Sequence, residues 1–216
     1  MKLIDLSHTI VSDMPQWPGD GQPLSIHRHS MHGPDSHMSS SMEIGCHVGT
    51  HIDAPLHFLA GQQGVDRLPL DLFVGEGLVI RTGDGASPRP LGIEECRGID
   101  LGPVDFVLFD TGWDRYWGTE RYYREWSYLT PELAEFLAGA GLKGVGLDTP
   151  SLDPYDGQAA HDICAPAGMI NLENLANLGD LPHEGFTLFA LPLKLEGTEA
   201  SPVRAVAMTR GHQEEK

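Results

Sequence analysis

The 216 residues hold 14 lysines and arginines against 31 aspartates and glutamates, a formal net charge of -17; so acidic a surface repels phosphate backbones and anionic lipids, which argues against nucleic-acid and membrane-surface partners. With 40% hydrophobic and 21% charged residues the composition excludes a disordered or fibrous chain, and the length fits one ordinary domain, residues 1–216. No run of about 18 apolar residues is present to span a membrane, the opening Met1-Lys2-Leu3-Ile4-Asp5 turns polar too early for a signal peptide, and the three cysteines, Cys46, Cys96 and Cys164, are odd in number and not spaced as CxxC, so a reduced, cytoplasmic protein is expected.

In chain order, residues 3–11 alternate loosely and are rich in β-formers, predicting a strand that ends in the turn Pro15 to Asp20, where two prolines bracket Trp17 in a stiff loop. Further strands are expected at residues 24–30, 39–46, 77–82, 104–110, 144–148, 187–191 and 203–209, each bounded by Gly, Pro or Asp. The intervening stretch 31–40, with Gly33, Pro34 and Asp35, reads as a mobile loop able to cover a site, or as a plain surface loop. Thr130 is a good N-cap with Pro131 at the first helical position, and Leu133, Phe136, Leu137 and Ala140 recur at helical spacing up to Gly141. Strand, helix and strand over residues 104–148 make a βαβ unit, so part of the sheet should be parallel.

Seven of the 11 histidines fall between His27 and His57, and the densest part runs from Cys46 to His57. Neutral imidazoles and carboxylates are the usual ligands of zinc, manganese and related ions, and three such ligands with open positions form a catalytic site. His47 and His51 would share a face of a helical turn, whereas His51 and Asp53 would share a face of an extended segment, which a strand end passing through a tight turn satisfies. Gly49 permits an unusual backbone angle there, and Pro55 prevents a continuing helix. His57, beyond these three candidate ligands, suits proton transfer because an ordinary imidazole titrates near about 6.5. The plain alternative, histidines satisfied in a loop or core, fits one isolated residue better than four spaced residues in one short stretch. His161, followed by Glu173 within the apolar-periodic run 169–178, could complete the site, with Glu173 on a short helix that could equally leave it solvated.

These segments, together with Asp5-Leu6-Ser7-His8, Trp17-Pro18-Gly19-Asp20, Thr111-Gly112-Trp113, Gly146-x-Asp148-Thr149 and Ser201-Pro202-Val203-Arg204, resemble the cyclase-like metal-dependent hydrolases, a family that includes bacterial kynurenine formamidases (arylformamidases). The most specific part is His47-x-Gly49-Thr50-His51-x-Asp53-x-Pro55-x-His57, and the resemblance covers nearly the whole chain. It implies an α/β fold, a compact β/β/α single domain with a mixed β-sheet or barrel core flanked by a few helices, assembled as a dimer or tetramer. It also implies two divalent ions, zinc or alternatively manganese: His47, His51 and Asp53 would hold one, while Asp53 and Glu173 would be shared with a second that His161 also holds. His57 would then be the general acid and base, and Trp17 would sit against the aromatic part of a small-molecule substrate. The activity implied is hydrolysis of a small amide or formamide of the N-formylkynurenine kind; the alternatives are hydrolysis of a cyclic amide or lactone such as isatin, a lyase or cyclase using the ion as a Lewis acid, and a metal-binding module without turnover.

Other features are open to plainer readings. Cys46 and Cys164 adjoin proposed ligands and could be thiolates, or small buried thiols. The aromatic stretch Trp113 to Trp126 suits a pocket wall or an interface. Glu199, Ser201 and Arg204 could orient a ligand or pair structurally, and Asp148 could support the metal site or cap a turn.

Overall fold

The computed structural model describes residues 1–19 and 21–209, so Asp20 of the turn after Trp17 lies outside the described residues. The chain begins with β1 (Lys2–Asp5), a hairpin of β2 (Leu24–Ser30) and β3 (Ser39–Ile44), then β4 (His51–Asp53) and β5 (Val74–Arg81). A short β6 (Pro90–Leu91) precedes β7 (Phe106–Asp110), and β8 (Tyr128–Leu129) leads into helix α1 (Pro131–Gly139) and β9 (Gly144–Leu147). Helix α2 (Ala159–Cys164) is followed by β10 (Ile170–Glu173), β11 (Phe186–Phe189), β12 (Ala200–Pro202) and β13 (Val206–Thr209). Nine strands form one sheet in the order β1-β13-β11-β5-β7-β9-β10-β4-β12, while β2 pairs with β3 and β6 with β8. The central strands β5, β7, β9 and β10 run parallel and are flanked on both sides by antiparallel partners, the mixed α/β sheet that the resemblance implies.

Period-two alternation divides the core between the two faces of this sheet. In β7, Phe106 and Leu108 join a cluster with Ile52, Val79, Leu172 and Leu188, while Val107 and Phe109 join Leu78, Val145 and Leu147 beneath the helices. The connection from β7 through α1 to β9 is the expected βαβ unit. Thr130 accepts a hydrogen bond from the Leu133 N–H at 3.3 Å with Pro131 in the first turn, and Leu133, Ala134 and Leu137 face the sheet. Phe136 and Ala140, counted from spacing as part of the apolar face, are exposed instead; Ala134 takes the inward position.

Two expectations require correction. The first strand ends at Asp5 rather than continuing to residue 11, because the Ser7 N–H turns back to Asp5 Oδ1 and the His8 N–H is taken by Thr50 Oγ1, local bonds that compete with a ladder. Glu173 lies at the end of a strand, not on a short helix. Residues 169–178 fit either period, and pairing of β10 with β9 on one side and β4 on the other decides the outcome. Residues 31–38 form the tip of the exposed β2–β3 hairpin. All three cysteines are free, and among the described residues no helix is long and apolar enough to cross a membrane.

Leu108 is 0% exposed and Phe136 38%. Leu108→Ala should therefore cost about 2–5 kcal/mol in denaturant unfolding, and Phe136→Ala within about 0.5 kcal/mol of nothing; equal losses would contradict this division of the core. A second expectation concerns His8, whose ring stacks on Trp117 at 4.0 Å. Burial pushes its pKa down to about 4, against the opposing pull of Asp114. The unfolded chain then binds the extra proton first, so this contribution to stability is complete above about pH 6.5 and is lost as pH falls toward 4. Thermal melts from pH 7 to 4 should show a shallower decline for His8→Phe than for the parent.

Candidate metal centre

The alternation that builds the core also creates the site. In β4, Ile52 enters the core, while His51 and Asp53, also buried, face the opposite side. Their neighbours across the antiparallel ladder are Glu173 and Asn171. His161 comes from α2, packed over this face, and His47 from the turn that precedes β4, where Gly49 adopts φ +69. A side chain at Gly49 would be strained there and would crowd Met14 Cε at 3.2 Å.

The five side chains converge. His47 Nδ1 lies 2.9 Å from Asp53 Oδ1, and His51 Nε2 lies 3.5 Å from the same oxygen and 3.4 Å from Glu173 Oε2. His161 Nε2 is 3.2 Å from Glu173 Oε1 and 3.7 Å from Asp53 Oδ2. His47, His51 and Asp53 form one group able to hold an ion, and Asp53, His161 and Glu173 another, each with ligand atoms within 4.8 Å of one another. A direct test of fit comes from His51 Nε2, which is buried without a hydrogen-bond partner, and from Asp53 Oδ1, whose 2.9 Å approach to His47 Nδ1 is an ion-pair contact and not an aligned hydrogen bond. Native interiors rarely leave buried polar atoms so placed, and both belong to the group of side chains able to hold an ion. The residues present fit a divalent cation.

The outward nitrogens explain why the inner ones are available. His51 Nδ1 donates to the Gly49 carbonyl at 2.9 Å, and His161 Nδ1 donates to Asp153 Oδ2 at 2.7 Å. Because those partners only accept, Nδ1 carries a proton in both rings, and in the neutral form of either ring it is the Nε2 lone pair that points inward. His47 instead turns Nδ1 inward and places Nε2 3.2 Å from Glu199 Oε1. Burial alone would lower His47, but Asp53, Glu173 and Glu199 outweigh it and raise the imidazole to about 9. His161 is raised by Asp153, Asp53 and Glu173 despite its burial. Asp53 and Glu173, although buried, are held low by the imidazoles around them.

All seven residues singled out in the sequence, Trp17, His47, His51, Asp53, His57, His161 and Glu173, line one cavity of about 380 Å³. The His57 ring lies 4.3 Å from that of His47 and 6.3 Å from that of His161, and burial holds its pKa below the ordinary value. Trp17 stacks on Tyr155 at 5.3 Å and meets Trp126 and Tyr123 edge-on. Asp153, Asn174 and Phe58 were not among the site residues expected from sequence: Asp153 is buried against His161, and the other two line the cavity. The His57-Phe58 adjacency was the one local signal for any of these three. Tyr123, from the aromatic stretch expected to form a pocket wall or an interface, lines the cavity too. None of residues 31–40 lines the cavity. Burial pushes the thiols of half-buried Cys46 and buried Cys164 up, with Glu199 adding to the effect on Cys46 and Cys164 reaching about 11, which suits thiols rather than thiolates. Arg204 pairs with Asp5 at 2.6 Å away from the cavity.

The model of the Cyclase family matches residues 4–154. The kynurenine formamidase of Salinibacter ruber is 36% identical over 214 residues, covering 95% of this chain and 97% of the relative. This chain belongs to the Cyclase family. Within the same range, the kynurenine formamidase of Geobacillus thermodenitrificans is 34% identical over 96% of this chain and 98% of its own. Among solved structures, isatin hydrolase A from Labrenzia aggregata, bound to benzyl benzoate, superposes with a TM-score of 0.86 at 30% identity, covering 96% of this chain and 93% of that one. An isatin hydrolase bound to the product analogue thioisatinate also scores 0.86, at 26% identity and with 97% and 93% of the two chains covered.

With the His47 imidazole raised to about 9, an ion held through its Nδ1 would displace a proton at pH 7. Calorimetry in buffers of different ionisation enthalpy should therefore register proton release on Zn²⁺ binding at pH 7, with apparent affinity rising as pH is raised from about 6 to 8; binding without proton release would contradict the assignment of His47.

Proposed function

We propose that this chain is a metal-dependent hydrolase of a small aryl amide, with a formamide of the N-formylkynurenine kind as substrate, and that His47, His51, Asp53, His161 and Glu173 hold two divalent ions. The observation that carries this reading is the convergence of five candidate ligand side chains in one cavity that Trp17, Phe58 and Tyr123 also line, with His51 Nε2 buried there without a hydrogen-bond partner. Imidazoles with carboxylates suit zinc first and manganese as the alternative. A divalent ion held there supplies a Lewis acid for the amide carbonyl and lowers the pKa of a bound water from about 15.7 toward about 7.

His57 moves the proton. Its burial keeps the ring neutral near pH 7, so it accepts a proton from the attacking water as the new C–O bond forms. It returns that proton to the nitrogen as the C–N bond breaks, leaving a carboxylic acid and an amine. Trp17, fixed by its stack on Tyr155, lines the cavity together with Phe58 and Tyr123, and these rings supply apolar area for the aryl group. The second reading, a cyclic aryl amide such as isatin, is favoured by the isatin hydrolase structures that this fold follows; the bond cleaved is of the same type. A dimer or tetramer in the cytoplasm completes the proposal, since the β2–β3 hairpin exposes Ile26, Met31, Met38 and Met42 and an isolated two-stranded hairpin is marginal in water.

Protein purified without added metal, analysed for its elements and assayed with that ion restored should cleave N-formylkynurenine faster than isatin, with ¹⁸O from labelled water entering the product. No product from either compound in metal-replete protein would overturn the reading. His57→Ala should keep the metal content and lose about 10²–10⁴-fold in kcat; a variant as active as its parent removes His57 from the mechanism.

A further inference from the structure

Resting on the two-ion reading above, we propose that Asp153 is the positioning residue that aims His161 at the ion shared by Asp53 and Glu173, so that occupancy of that half of the centre depends on it. The Asp153 side chain is 2% exposed, and both of its oxygens are used. Oδ2 accepts from His161 Nδ1 at 2.7 Å and from the His161 backbone N–H at 3.1 Å, while Oδ1 accepts from the Ala160 N–H at 2.8 Å. The residue is itself fixed from both sides: its N–H donates to Ser151 Oγ at 3.2 Å, and its carbonyl accepts from Trp126 Nε1 at 2.9 Å. One carboxylate thus sets the start of α2 and the orientation of the ring that α2 carries.

The consequence for His161 is specific. Its Nδ1 is committed as a donor, leaving Nε2 as the ligand atom, 3.2 Å from Glu173 Oε1. Phe58 lies along the ring face at 4.2 Å and hinders rotation away from that aim. The other histidines are held differently: His51 by the Gly49 backbone carbonyl, and His47 by Glu199, whose side chain is 39% exposed. Removing the Asp153 carboxylate therefore disturbs one half of the centre and leaves the other supported.

The test is Zn²⁺ binding to the full chain, wild type against Asp153→Asn and Asp153→Glu, by calorimetry and by elemental analysis after dialysis. An amide cannot accept from all three donors, so Asp153→Asn should lose about 10–100-fold in affinity at one of two sites and retain one ion after dialysis. Asp153→Glu, which keeps a carboxylate, should recover part of that loss. A two-ion wild type beside an Asp153→Asn chain with both affinities unchanged, merely melting at lower temperature, overturns the proposal, since capping α2 is then all that Asp153 does. A wild type that takes one ion overturns the two-ion reading itself. Should Asp153→Asn fail to fold, long-range ¹H–¹⁵N spectra of the zinc-loaded wild type decide: a proton on His161 Nδ1 is expected, and a proton on Nε2 overturns the assignment.

Discussion

Asp53 and Glu173 lie together with side chains only 2% and 7% exposed, and the rest of the centre answers the cost of that arrangement. Two buried carboxylates repel, and burial by itself would push both toward the protonated form. Both are held low instead, because His47, His51 and His161 face them. Without an ion, His47 and His161 take up protons, so two positive rings stand against two negative carboxylates and the pocket keeps its shape as an ion-pair network. A divalent ion held by these residues would replace those two protons without changing the charge of the pocket. Its binding would then be a substitution within a formed site, not the assembly of a new one.

The sheet makes that charge density structurally tolerable. On β4 and β10 the inward members of the alternation, Ile52 and Leu172, are fully buried in the larger core cluster, and each fully buried aliphatic of this kind contributes about 1.5–3 kcal/mol. The outward members are His51, Asp53 and Glu173, so candidate ligands and core anchors occupy successive positions of the same two strands. A slip of one residue in the register of β4 against β10 would bury these polar side chains in the apolar core and turn the anchors out. Register is therefore strongly specified beside the cavity.

How much of this was legible in the sequence follows from the same geometry. The segment from His47 to His57 was readable because its four candidate side chains lie within one turn, strand and short helical turn, where spacing alone fixes which of them share a face. The βαβ unit was readable from a cap, a proline and a helical period at Thr130, Pro131 and Leu133. Glu173 was harder: residues 169–178 satisfy two periodicities, and only pairing with β9 and β4 selects a strand. Asp153 was invisible, because its importance lies in contacts with the start of a helix eight residues on, and no spacing rule anticipates them. Histidine density was a partial guide. The four histidines between 27 and 37 contributed to it, yet they belong to the exposed hairpin outside the cavity lining.

Asn174 shows how far the support extends. Immediately after Glu173 it adopts φ 54, a left-handed conformation that costs a residue with a side chain free energy. Glycine would adopt that angle more readily, but it could not do what this side chain does. Its Nδ2 donates to the Gly49 carbonyl at 3.0 Å, and its Oδ1 accepts from Tyr122 at 2.9 Å. The Asp148 carbonyl lies 3.1 Å from the same Tyr122 hydroxyl and shares its one proton with Asn174, and the Asp148 carboxylate accepts from the Thr111 N–H, the Thr111 hydroxyl and the Trp113 N–H. Burial pushes Asp148 up to about 7, but every contact its oxygens make is with a donor, which favours the ionised form. The Gly49 carbonyl at the end of this chain is also the acceptor that fixes the His51 tautomer. The direction of one lone pair in the metal centre is therefore set through buried hydrogen bonds that reach back to the loop after β7, which gives Thr111, Trp113 and Asp148 a physical role although none of them faces the cavity.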